Sequence, residues 1–218
     1  VKLIVGSRFR LSNGMDLIAI APSRIAYAEL SGFITLARRR ADKGAYEAHF
    51  EDLRFRLRHC LIIWFAKLSD TIVDAVATEL TNAFKDRLWI GINHRLQGGE
   101  QQDFARWQLL GREKNIPLVA CGEALMHSAE RKPLQDIVTA IRHNTPIQEM
   151  GTKLELNGEA YLKSQHQLVR LYPPELLAET AVIADLCHFS MSELRYQYPR
   201  ELVPGNLTPI EHLRCLVD

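Results

Sequence analysis

Hydrophobic and polar positions follow two rhythms along this chain, and each predicts a different kind of element. "KLIVG" (2–6) is a short unbroken apolar run and predicts a strand. "LSNGMDLIAIA" (11–21) sets Asn13-Gly14 ahead of a second such run. Asn-Gly tolerates the positive φ angles of a tight turn, so the pair predicts a β-hairpin. Ser23 then stands where a helix N-cap is wanted. The helix it opens runs to about Arg39, with Ile25, Leu30, Phe33, Ile34 and Ala37 as its apolar stripe. Residues 40–58 are charged and show no clear period, and "RFRLRH" (54–59) fits a strand edge or a charged helical turn equally well.

From there the rhythms alternate. "CLIIWFA" (60–66) is a buried strand, and Asp70 caps a helix carrying Ile72, Val73, Val76, Leu80 and Phe84. "RLWIGI" (87–92) is the next strand. "NHRLQGGEQQ" leads to a helix with Phe104, Trp107, Leu110 and Gly111 on one side. "IPLVAC" (116–121) is a further strand. A helix over about 130–143 follows, with Leu134, Ile137, Val138 and Ile141 at helical spacing and Asn144 and Pro146 at its end. Strands alternating with helices imply parallel pairing and right-handed crossovers. Continuously apolar strands imply a sheet covered on both faces.

Beyond Thr145 the pattern changes, with no further buried strand run. Pro173-Pro174-Glu175 opens a helix to about Cys187, with proline where its missing N–H does no harm. The stretch "ELRYQYPRELVPGNLTPIEHL" is rich in proline and charge. Residues 148–218 therefore read as a mainly helical connecting segment attached to an α/β unit.

Composition narrows the function classes. The 218 residues are 47% hydrophobic and 24% charged, an ordinary globular balance. With 27 basic and 26 acidic residues, the net charge of +1 gives no global pull toward nucleic acid or a membrane. The longest apolar run is far too short to span a bilayer. Cys60, Cys121, Cys187 and Cys215 form no CxxC pair, which fits a reducing, cytoplasmic setting without disulfides or a zinc knuckle. The first residue is Val1, already inside an apolar run, so the sequence reads as an excerpt of a longer protein.

Candidate chemistry is sparse. GxxxxGK[ST], GxGxxG, GxSxG and HExxH are all absent. His94 follows one predicted strand, and Glu123 and His127 follow the next. The C-terminal ends of parallel strands are where α/β sites gather, and imidazole with carboxylate suits zinc or manganese. The competing reading is three solvated loop residues. Arg38, Arg39 and Arg40, with Lys43 nearby, are weak candidates for contacts to a DNA backbone, against favourable placement at a helix C-terminus. Trp64, Trp89 and Trp107 lie in apolar runs and read as core.

Five blocks carry a resemblance: "VGSRFRL", "ARRRADKGAY", "LQDIVTAIRHNTPI", "LYPPELLAETAVIADLCHFSMSELRYQYPRELVP" and "TPIEHLR". In this order they resemble the bacterial C-family DNA polymerases, in the error-prone alpha-type branch, over nearly the whole chain. The resemblance implies a fold: an incomplete PHP-type (polymerase and histidinol phosphatase) distorted β/α barrel over 1–147, lacking its first strand-helix unit. Residues 148–218 would then lead toward the polymerase body. It implies no polymerase active site in this piece, magnesium for the parent enzyme, and zinc or manganese here only if the PHP site is active. DNA and deoxynucleotides would be partners of the parent, together with a sliding clamp or accessory mutagenesis proteins.

The family's metal ligands match these residues poorly. A glutamate usual after "GS" is Arg8, a cation with no lone pair to donate. The family's Asp-x-His-x-His reads Glu123-Ala124-Leu125-Met126-His127, and leucine cannot ligate. His94 matches loosely. The resemblance therefore implies a degenerate PHP domain serving replication and damage-induced lesion bypass, with Arg8 paired to Glu123 where a metal once sat. The alternatives are an active PHP phosphoesterase or 3′–5′ exonuclease, and a binding module with no polymerase attached.

Overall fold

The computed structural model describes residues 2–65, 73–195, 203 and 207–217. Its frame is a five-stranded sheet in strict chain order. The strands are β1 (Gly6–Arg10), β2 (Asp16–Ile20), β3 (Leu61–Phe65), β4 (Leu88–Ile92) and β5 (Leu118–Ala120). β1, β2 and β3 pair antiparallel, whereas β3–β4 and β4–β5 are parallel. The described sheet is open and mixed, so the expected parallel pairing holds only for its second half.

The hairpin forms around Gly14 at φ +85°, with Arg10 opposite Asp16. Its first strand is shifted from expectation: residues 2–5 lie outside β1, which starts at Gly6. The reason is β2's end. Ala21 N–H still reaches Val5 O at 2.9 Å, but Pro22 has no N–H to donate and Ser23 turns the chain into a helix. That helix, α1 (Arg24–Arg39), is capped by Ser23 Oγ accepting from Ala26 N–H at 3.3 Å. Its buried side is Ala26, Leu30, Phe33 and Ala37; Ile25 points to solvent, a correction to the expected stripe.

The charged stretch resolves into α2 (Phe50–Arg56), so Arg54 to Arg56 close a helix and form no strand edge. α3 (Val73–Phe84) and α4 (Glu100–Lys114) follow β3 and β4. Ala66, Asp70 and Ile72, read from the sequence as strand end, cap and stripe, lie outside the described residues. Helices α1 to α4 bury one face of the sheet through Phe9, Leu17, Ile62, Trp64, Leu88 and Ile90. Gly111 lets α4 lie close to the β5 approach: a Cβ there would stand 2.8 Å from Ile116 O.

After β5 come α5 (Lys132–His143), α6 (Gln165–Leu171), α7 (Pro174–Leu186) and α8 (Pro209–Val217). α7 lies on the sheet's other face. Ile183 and Cys187 pack there against Leu61, Ile63, Trp89 and Val119. Three further contacts fix the end of α7: His188 and Phe189 N–H both donate to Pro22 O, and Phe189 stacks on Tyr27. All three tryptophans are buried. Burial pushes the Cys60 and Cys121 thiols up to about 12, so they act as small apolar side chains. Among the described residues, no helix is long and apolar enough to cross a membrane.

Candidate functional site

Period-two alternation sends Arg8, Asp16 and Phe65 to the same face as Trp89, the face that α7 partly covers. Phe65 needs room there: a Cβ on Gly91 would meet its ring at 2.7 Å. Glycine at position 91 thus leaves the phenyl ring room against β4. The Arg8 guanidinium sits over that ring, 4.9 Å from its centroid.

Arg8 is the hub of the site. Its Nε and Nη2 donate to the two Asp16 carboxylate oxygens, each at 2.8 Å, in a bidentate fork. Its Nη1 donates to Glu123 Oε1. Asn93 Nδ2 donates to the other Glu123 oxygen. Hydrogen bonding to Asp16, above all, raises the Arg8 pKa above its ordinary value, so it stays cationic. β1 and β5 are opposite edges of the sheet, about 19 Å apart if it were flat. The Arg8–Glu123 pair therefore requires the sheet to curl toward this face and the loop after β5 to reach back across it.

That loop is held in an unusual conformation. Glu123 has φ +42°, in the left-handed region where a residue with a Cβ is disfavoured. Arg95 Nη2 donates to Glu123 O at 3.1 Å, and Asn157 Nδ2 donates to Arg95 O at 2.6 Å. Leu125 N–H and Met126 N–H both donate to Ala160 O, and Leu162 N–H to Met126 O. Residues from 157 to 162 thus pin the loop from outside.

His94 stands next to this cluster, two residues past β4. Its ring packs on Phe104 and Tyr172, and its Nδ1 is 3.4 Å from Glu100 Oε2. An open recess of about 180 Å³ separates Phe65, Gly91, Asn93 and His94 from Asp103 and Trp107. His127 is elsewhere, exposed beside the start of α5. Asn93 thus meets Glu123, whereas the neighbouring His94 ring turns to Phe104, Tyr172 and Glu100, and His127 lies apart from both. Among the described residues, no three His, Cys, Asp or Glu side chains are placed to share a metal ion.

The arginine cluster is used locally. Arg38 donates to Ala45 O and lies over Tyr46, and Arg40 pairs with Asp52, whose pKa the guanidinium lowers. Arg39 is exposed.

Tyr172 is a residue the sequence reading missed. Its hydroxyl accepts from His94 N–H at 3.1 Å and donates to Cys121 O at 2.9 Å. One side chain from the α6–α7 junction thus ties the ends of β4 and β5 together, and burial raises its pKa, keeping the donor protonated. Tyr172→Phe is expected to cost about 1–2 kcal/mol, read as a lower urea midpoint at constant slope. An unchanged midpoint would show that water replaces the hydroxyl without loss. Asp16, Asn93 and Arg95 were also missed; an acid opening a strand was their one visible signal.

The chain is 59% identical over 218 residues to an "Error-prone DNA polymerase" of Teredinibacter turnerae, covering 100% of this chain and 21% of the relative. It is 58% identical over 217 residues to one of Saccharophagus degradans, with the same coverage. It is 44% identical over 216 residues to one of Methylococcus capsulatus, covering 99% of this chain and 20% of the relative. The chain is a relative of the bacterial error-prone DNA polymerases. The match runs end to end and fits a fragment of a bacterial error-prone C-family polymerase. The chain spans about a fifth of the length of the curated error-prone polymerases it matches. No family model matches it.

Proposed function

We propose that this chain is the catalytically degenerate, PHP-type portion of an error-prone DNA-directed DNA polymerase that serves replication and damage-induced lesion bypass. Residues 1–147 form the PHP-like unit, and 148–218 lead toward the polymerase body. Template-directed addition of deoxynucleotides, with magnesium, belongs to the remainder of such a polymerase. A sliding clamp or accessory mutagenesis proteins are partners of that whole enzyme, which works in the cytoplasm.

The single observation behind the degenerate site is the Arg8 guanidinium held between Asp16 and Glu123. A divalent ion needs anionic or lone-pair donors turned toward an open position. Here the two carboxylates already share a fixed cation, which repels a second positive charge. The residues present do not fit a PHP metal centre. The incomplete-barrel reading is supported by the same pair, since it draws the two edge strands of an open sheet toward each other. The site's role in this reading is to hold shape: the ion pair supplies the cross-sheet link that a metal cluster would otherwise make.

The test is elemental analysis of the purified chain together with phosphate-ester hydrolysis in added manganese. We expect metal well below one equivalent and no turnover above buffer. Stoichiometric zinc or manganese with turnover would instead support an active phosphoesterase or 3′–5′ exonuclease built around His94 and Glu123.

A further inference from the structure

Helix α5 faces the wrong way for a helix that serves only its own sheet. Leu134, Ile137, Val138 and Ile141 form one aliphatic stripe, and they are 51%, 50%, 52% and 73% exposed. The periodicity marks this stripe as a helical face, and among the described residues nothing covers it. The polar side is the partly covered one: Lys132 Nζ holds Asp136 Oδ2 at 2.6 Å, Thr139 Oγ1 donates to Gln135 O at 2.8 Å, and Ala140 is buried. Leu125, exposed on the preceding loop, extends the apolar surface. An open recess of about 310 Å³ runs between Leu125, Met126, Leu134 and Val138. A monomer rarely leaves such a continuous aliphatic face to water.

We infer that the α5 face is a docking surface inside the longer polymerase, covered by an amphipathic helix from the part of that polypeptide beyond this segment. The inference rests on the chain being a polymerase segment. Three observations favour this occupant. The greater part of the relatives' length lies outside the matched region, so covering chain exists in them. The stripe has i, i+3, i+4, i+7 spacing, the ridge that receives another helix. The flanks of α5 carry exposed Arg131, Arg142 and His143 beside exposed Glu130, so an amphipathic helix with charges of both signs at its margins complements them.

Hydroxyl-radical footprinting tests this, because it reads side-chain exposure directly. The 218-residue chain and the full-length Teredinibacter turnerae polymerase are labelled side by side, and the peptide carrying Leu134 to Ile141 is compared with its aligned counterpart. Labelling is expected to be about fivefold weaker in the full-length enzyme, as for a fully buried interface core. Equal labelling, or polar residues at the aligned positions, would overturn the proposal. Sedimentation of this chain and of its Ile137→Asp variant adds a second readout. A dimer that Ile137→Asp abolishes would make a second copy the occupant and would also overturn it; a monomer in both supports it. Metal bound by the chain would sink the degenerate-site reading without moving the footprint, so the two failures are separable.

Discussion

Replacing Arg8 by alanine is expected to lower stability by about 2–4 kcal/mol. The Asp16 side chain is 7% exposed and Glu123 16%, so their carboxylates have little water to turn to once the guanidinium is gone. Arg8 itself is 47% exposed, which keeps the loss below that of a fully buried pair. Arg8→Lys keeps the charge but not the planar fork, so it should recover only part of the stability. Arg8→Glu gathers three carboxylates and should be the least stable variant at neutral pH. It also removes the resident cation, so added manganese should raise its urea midpoint and leave that of the wild type unchanged. The checks are urea denaturation with and without manganese. An Arg8→Ala protein as stable as the wild type would end the view that the guanidinium holds this site. An Arg8→Glu protein indifferent to manganese would end the view that it stands in an ion's place.

Trp89→Ala should cost about 3–5 kcal/mol, the range for emptying a large aromatic site in a core. Trp89 lies at the middle of the face that α7 covers, packed with Leu61, Ile63, Val119 and Ile183. It is 3% exposed. Its indole N–H also donates to Glu179 Oε2 at 2.9 Å, the polar tie between sheet and α7. Trp89→Phe separates the two contributions: most apolar contact stays, Glu179 loses its donor, and the cost falls to about 1–2 kcal/mol. Both are read from urea midpoints. If Trp89→Ala cost under about 1 kcal/mol, the second face would be relaxing around the gap, and the grip of α7 would be weak.

Local signals along the chain were legible where one residue type settles the backbone. Asn13-Gly14 placed the hairpin, Ser23 the start of α1, Asn144 the left-handed end of α5 and Pro173-Pro174 the start of α7. The apolar runs behind β3, β4 and β5 were equally readable. Hidden from the sequence was whatever depends on a distant partner. "KLIVG" has the composition of a strand, but its neighbour stops at Pro22, so pairing begins only at Gly6. The α5 stripe has perfect helical spacing, yet periodicity says which side is apolar and nothing about what covers it. α7 carries Leu176, Leu177, Val182 and Ile183 on several sides, so no one face announced that it would pack on the sheet. The site was legible only in part. Arg8 and Glu123 were suspected partners because of the resemblance, whereas Asp16, Asn93 and Arg95 joined them through a curl that no local pattern encodes.

Glu123 sits on a left-handed turn. A carboxylate on such a turn is easily lost to solvent, yet here three different segments grip it: β1 through Arg8, the residues after β4 through Asn93 and Arg95, and residue 157 through Arg95 O. Those segments come from far-apart stretches of chain, so the loss of any one contact leaves the others to hold Glu123 alone. The knot behaves as a latch on the whole architecture. Loosening it at any one strand should be felt at both margins of the sheet together, as simultaneous fraying of β1 and β5 in amide exchange.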